Sequence, residues 1–125
     1  HCVTRRQRQM CIRDRHYIND VAADIAAIIT AGDATVTPVS DATSDYENHW
    51  GEMRGYANGL LYNSLSKVPS SSITRILTLM GTAPVYPSNG SFDDMQAYHD
   101  LLKGAEMKAI FKQSFGFSDA DIANY

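Results

Sequence analysis

His49 and Glu52 stand three residues apart in the segment Asn48-His49-Trp50-Gly51-Glu52-Met53. On a helix, that spacing brings an imidazole and a carboxylate to neighbouring positions of one face. The pair is a reversed form of the Glu-x-x-His arrangement that supplies ligands in helical-bundle metal sites. A helical wheel puts His49 at the border of the apolar stripe and Glu52 further toward the polar side, with Tyr56 between them. Three uses suit this geometry: a metal ion, a shared proton, or a structural hydrogen bond between His49 and Glu52 with Trp50 packed alongside. A metal site needs further nitrogen or oxygen ligands. The candidates are His16, His99 and the acids of the last predicted helix, and none forms a second ligand pair near His49 in the sequence. His49 and Glu52 are therefore the candidate metal residues, and a metal ion is the only cofactor the sequence suggests.

Other chemistry loses support by omission. The chain has no G-x-S-x-G, no phosphate-cradling glycine loop and no H-E-x-x-H, and no cysteine follows Cys11. Asp93-Asp94 reads as a complement to the positive end of a helix, and the seven tyrosines are scattered over helices and loops.

The elements that must position these residues are helical. Val21, Ile25, Ile28 and Ile29 form one face of a helix over roughly 16–31 that Gly32 ends. A loop through Pro38 leads to a second helix from about Ser44 to Asn63, whose stripe is Trp50, Met53, Ala57, Leu60 and Leu61. Gly51, Gly55 and Gly59 recur along it at four-residue intervals, and their spacing predicts close approach of another helix. Pro69 and the serines after it open a short helix with Ile73, Ile76, Leu77 and Met80 on one face and Gly81 at its end. Pro84, Pro87 and Asn89-Gly90 make a turn-rich loop. A last long helix is predicted from Ser91 to Gln113, with Met95, Tyr98, Leu102, Ala105 and Ala109 as its stripe, closed by Gly116. The reading is an all-α, antiparallel helical bundle. Trp50, Met53, Leu60, Ile25, Ile28, Leu77, Met95, Tyr98 and Leu102 are expected to share its core.

A chain of 125 residues holds one core, with 44% apolar and 20% charged residues, the balance of a folded domain. No apolar run reaches the ~18–20 residues of a membrane-spanning helix. Residues 1–15 (HCVTRRQRQMCIRDR) differ in kind from the rest: they are basic, unpatterned and carry both cysteines. The run Met10-Cys11-Ile12-Arg13-Asp14 resembles the conceptual translation of a transposon-end sequencing adapter. An artefactual or disordered leader is therefore expected over 1–15, with 16–125 as the C-terminal part of a larger helical domain whose N-terminal half is missing. Five of the eleven basic residues and one of the fourteen acids lie in the leader, which leaves the body six against thirteen, a formal charge of −7. Such a charge opposes unassisted binding to nucleic acid.

The stretch Asn48-His49-Trp50-Gly51-Glu52-Met53-Arg54-Gly55-Tyr56-Ala57 belongs to a wider pattern. With Leu61-Tyr62-Asn63, Ile76-Leu77-Thr78-Leu79-Met80-Gly81 and Phe115-Gly116-Phe117, it resembles the C-terminal half of an imelysin-related bacterial family of unknown function. The resemblance implies an all-α fold and export to the bacterial envelope, in the periplasm or as an outer-membrane lipoprotein with a lipid anchor upstream. Imelysin relatives carry G-x-H-x-x-E and have been linked with iron uptake and with a peptidase label. Here His49 and Glu52 match H-x-x-E, while Glu47 stands where the glycine belongs. The first functional expectation is a non-enzymatic envelope domain that binds a ligand or partner through surfaces shared with its missing half. The alternatives are a metal-binding or peptidase-like protein using His49 and Glu52, and a structural interaction module.

Overall fold

Apolar side chains that recur every three or four residues can leave water only if several helices turn their stripes toward one another. The computed structural model has that form. It describes residues 5–38, 43–61, 69–115 and 120. Five helices follow in order: α1 (Arg5–Ala31), α2 (Ser44–Leu61), α3 (Ser70–Met80), α4 (Asp93–Leu102) and α5 (Ala105–Phe115). Among the described residues there is no strand, only an isolated bridge between Ser88 and Ser91 across the Asn89-Gly90 turn. The protein is an all-α helical bundle. Asn89 and Gly90 both take positive φ, 53° and 72°, as so tight a reversal requires.

α1 and α2 run antiparallel and make the most extensive helix pair. The core draws Ile18, Val21, Ile25 and Ile28 from α1 and Tyr46, Met53, Ala57 and Leu60 from α2. Ile73, Ile76, Leu79 and Met80 of α3 close it on one side, and Met95, Tyr98 and Leu102 of α4 on another. Trp50 and Leu77 pack against this cluster while partly exposed, so the expected core set is assembled. Gly32 and Gly81 end α1 and α3 at φ 76° and 78°. The Gly81 amide donates to the carbonyls of Leu77 and Thr78 at 3.1 and 3.2 Å, which closes the last turn of α3.

Three features differ from the sequence reading. First, α1 starts at Arg5 rather than near His16. A segment rich in Arg and Gln, both good helix formers, extends any helix it joins, whatever its origin. Second, the last long helix is two. α4 stops at Leu102, the Gly104 amide tightens onto the Leu101 carbonyl at 3.3 Å, and α5 begins at Ala105. A Cβ on residue 104 would lie 2.8 Å from the Asp100 carbonyl oxygen, so the corner needs glycine. The break rotates α5, so that Met107 and Phe111 are fully buried and Ala105 and Ala109 face out. Burying a phenylalanine and a methionine removes far more apolar area from water than two alanines would, at about 25 cal/mol per Å². Third, a Cβ on Gly51 or Gly55 would meet nothing within 4 Å, and both residues are exposed. Gly51 and Gly55 therefore do not mark close helix approach among the described residues. Gly116 and Phe117 of the Phe115-Gly116-Phe117 segment lie outside the described residues, as do Tyr62 and Asn63.

Candidate functional site

His49 is carried by α2 on the side that meets α1, beside the buried stripe Tyr46, Met53, Ala57 and Leu60. Its partner is not Glu52. Nδ1 of the imidazole lies 2.5 Å from Oδ2 of Asp24 on α1, an ion pair when the ring is protonated. Glu52 turns instead to Tyr17 of α1 and accepts its phenolic hydrogen bond. The i,i+3 spacing brings both side chains to the α1–α2 seam, but antiparallel packing supplies each with a partner from the opposite helix. Tyr17 in turn stacks on Tyr56 of α2, with ring centroids 5.3 Å apart and planes inclined by 17°. Its ring also lies 6.5 Å from that of His49. The Tyr56 hydroxyl accepts a hydrogen bond from the Arg13 guanidinium at 3.1 Å.

The electrostatics follow from this geometry. The hydrogen bond to Asp24 raises the His49 imidazole above its ordinary 6.5, against a smaller lowering by burial, and the charges of Asp24, Asp20 and Glu52 add to the rise. Donation to Glu52 holds the Tyr17 phenol above its ordinary 10.0. With its Nδ1 proton directed at Asp24, the neutral ring presents its lone pair at Nε2. Metal-ligating histidines are oriented by carboxylates in the same way. Among the described residues, however, no group of three His, Cys, Asp or Glu side chains is placed to hold a metal ion. The other ligand candidates have partners of their own. His16 faces Asp20 at 3.5 Å, His99 faces Asp100 at 3.1 Å, and Glu106 is bound by Arg75.

Asp24 links this seam to an open cleft of about 330 Å³ formed by the last turns of α1, the loop after it and the start of α2. Ala27, Ile28, Ala31, Val36 and Tyr46 line it with apolar surface. Among the described residues, Asp24, Asp33 and Asp45 line it with carboxylates and no lysine, arginine or histidine does. Asp33 is fixed by Thr35, whose backbone amide and hydroxyl donate to Oδ1 at 2.9 and 2.5 Å. Those two bonds, hydroxyl first, hold its carboxyl below the ordinary 3.8. The cleft was not foreseen, because it arises where a loop folds back over two helix ends. Asp20 and Asp24 did leave a sequence signal. They directly precede the stripe residues Val21 and Ile25, so they share the border of the buried face.

Next to His49 in sequence, Trp50 serves a different end. Its indole Nε1 donates to the Tyr98 hydroxyl at 2.8 Å, and that hydroxyl donates to the Met80 carbonyl at 2.5 Å. Arg54 Nε donates to the Gly81 carbonyl at 2.8 Å. The buried Tyr46 hydroxyl donates to the Val85 carbonyl and accepts from the Val85 amide, both at 2.8 Å. These bonds fasten the end of α3 and the loop after it to α2 and α4. No helix among the described residues is long and apolar enough to cross a membrane. No family model matches the chain, and neither a curated protein nor a solved structure matches it.

Proposed function

We propose that the chain is part of a non-catalytic helical domain of the bacterial envelope that binds a ligand on its α1–α2 face. The observation that carries the binding role is the open, apolar-lined cleft, which shares Asp24 with the His49 pair. At about 330 Å³ it falls in the range of small-molecule pockets. His49 acts here as a charge-holding residue of the cleft's edge. The envelope location, with a lipid anchor upstream, rests on the resemblance carried by 48–57, 61–63, 76–81 and 115–117. Fractionation of cells carrying the full gene tests it, and recovery of the product from the cytosol would count against it. The non-catalytic role is tested by incubating the purified protein with a fluorescent casein. Intact substrate is expected, and hydrolysis that disappears in His49→Ala would overturn the reading in favour of a peptidase.

A second reading has its own supporting observation, the carboxylate-oriented imidazole with its lone pair at Nε2. In that reading His49 and Glu52 help hold a metal ion, with further ligands from outside the described residues. Titration of the full-length protein with Fe and Zn ions, beside the His49→Ala, Glu52→Ala double variant, separates the two. Equal binding by both proteins removes the metal role.

A further inference from the structure

Resting on the binding role just proposed, we infer that the α1–α2 cleft takes a small organic cation, an ammonium group carried on a compact apolar body. The volume sets the size class, since about 330 Å³ admits a small molecule and not a helix or a nucleic-acid strand. The lining sets the chemistry. Ala27, Ala31 and Val36, over a floor of Ile28 and Tyr46, offer apolar contact that an inorganic ion would leave unused. Asp24, Asp33 and Asp45 lie among the described lining residues with no basic side chain beside them; Asp24 is paired with His49 at the edge, so Asp33 and Asp45 supply the negative field that favours a cation over an anion.

The carboxylates also keep acceptor capacity. Asp24 directs Oδ2 to His49 and Asp33 directs Oδ1 to Thr35, so each retains a second oxygen that these bonds do not use. An ammonium donates up to three hydrogen bonds and has no acceptor, which matches oxygens on a cleft wall better than a hydroxyl does. A bare divalent ion is a poor fit, because no three of these acids are close enough together to hold one. The occupant is thus a protonated amine, with the apolar body on Ile28 and Val36 and the charge toward the aspartates.

The test follows amide resonances of the whole chain by heteronuclear NMR during titration with cyclohexylammonium, cyclohexanol, cyclohexanecarboxylate and calcium. Cyclohexylammonium is expected to shift Ala27, Ile28, Ala31 and Val36, with cyclohexanol at least about tenfold weaker, the ratio that one charge-assisted hydrogen bond supplies. Asp33→Asn with Asp45→Asn should weaken the ammonium by about tenfold or more while leaving the spectrum of the other helices unchanged. The comparison of ammonium with alcohol in the unmodified protein decides the matter even where the double variant folds poorly. Equal binding of the two, or shifts from calcium alone at the same residues, overturns the proposal. So does the absence of a shift from every probe. The non-catalytic binding role is judged separately by the casein assay, so the two can fail independently.

Discussion

His49 and Trp50 are neighbours on α2 and belong to two regions that differ in kind. On the Trp50 side, half-buried and buried polar groups answer one another around the buried Tyr98 hydroxyl. Burial pushes the Tyr98 phenol up to about 12 even though the Trp50 indole donates to it, and also raises that of Tyr46. The Tyr98 hydroxyl still completes the bridge from Trp50 to the Met80 carbonyl. On the His49 side the pair stays wetted, with side chains 34% and 22% exposed for His49 and Asp24, and its partners are groups that titrate. A turn of 100° per residue separates a network that fixes one fold from an ion pair that stays in contact with water. Dry hydrogen bonds set geometry, whereas half-wet ones remain free to respond.

Four changes break or sharpen that contrast. The largest effect belongs to the core both regions share. Leu60 and Leu102 are almost wholly buried, and replacing either by Ala should cost about 2 to 5 kcal/mol through lost transfer energy and the cavity left behind. Denaturant midpoints equal to the parent's would show that these stripes do not carry the fold. Next comes the dry network itself. Tyr98→Phe strands the Trp50 indole N–H and the Met80 carbonyl, and should destabilise by about 1 to 3 kcal/mol. Urea unfolding measures it, and a loss no greater than that of His49→Gln would erase the distinction between the two sides.

Gly55→Ala acts on the exposed face and in the opposite direction. With nothing within 4 Å of its Cβ position, alanine should stabilise α2 by about 0.5 to 1 kcal/mol. Destabilisation by the same change would show that this face of α2 is covered rather than open. The smallest effect is the pH response of the wet side. Because the folded imidazole of His49 lies above its ordinary 6.5, its pairing contributes stability that is fully present below pH 6.5 and is lost as pH rises through the raised value. The groups facing it are Asp24 and Asp20 from α1 and Glu52 from its own helix. Unfolding midpoints followed upward from pH 6 should fall for the parent by more than for His49→Gln, and parallel curves would dismiss the pair as a source of stability.

Much of this architecture was legible in the residue order. The apolar periodicity of 16–31, 44–61 and 70–80 specifies helices because burying a stripe requires a 3.6-residue repeat. Gly32, Gly81 and Asn89-Gly90 mark ends and turns because they alone relieve the strain of positive φ. The sequence by itself also singled out His49 and Glu52 as the residues of α2 most able to do chemistry. Only the tertiary structure decided their partners, since Asp24 and Tyr17 lie 25 and 35 positions away along the chain, and antiparallel packing, not spacing, brings them within reach. It also decided the corner at Gly104, where seating Met107 and Phe111 in the core outweighs continuing a helix that local propensity alone favours. The cleft beside Asp24 belongs to the same class of outcome, because its walls come from two helices and a loop whose relative placement is fixed by packing energy and by no local pattern.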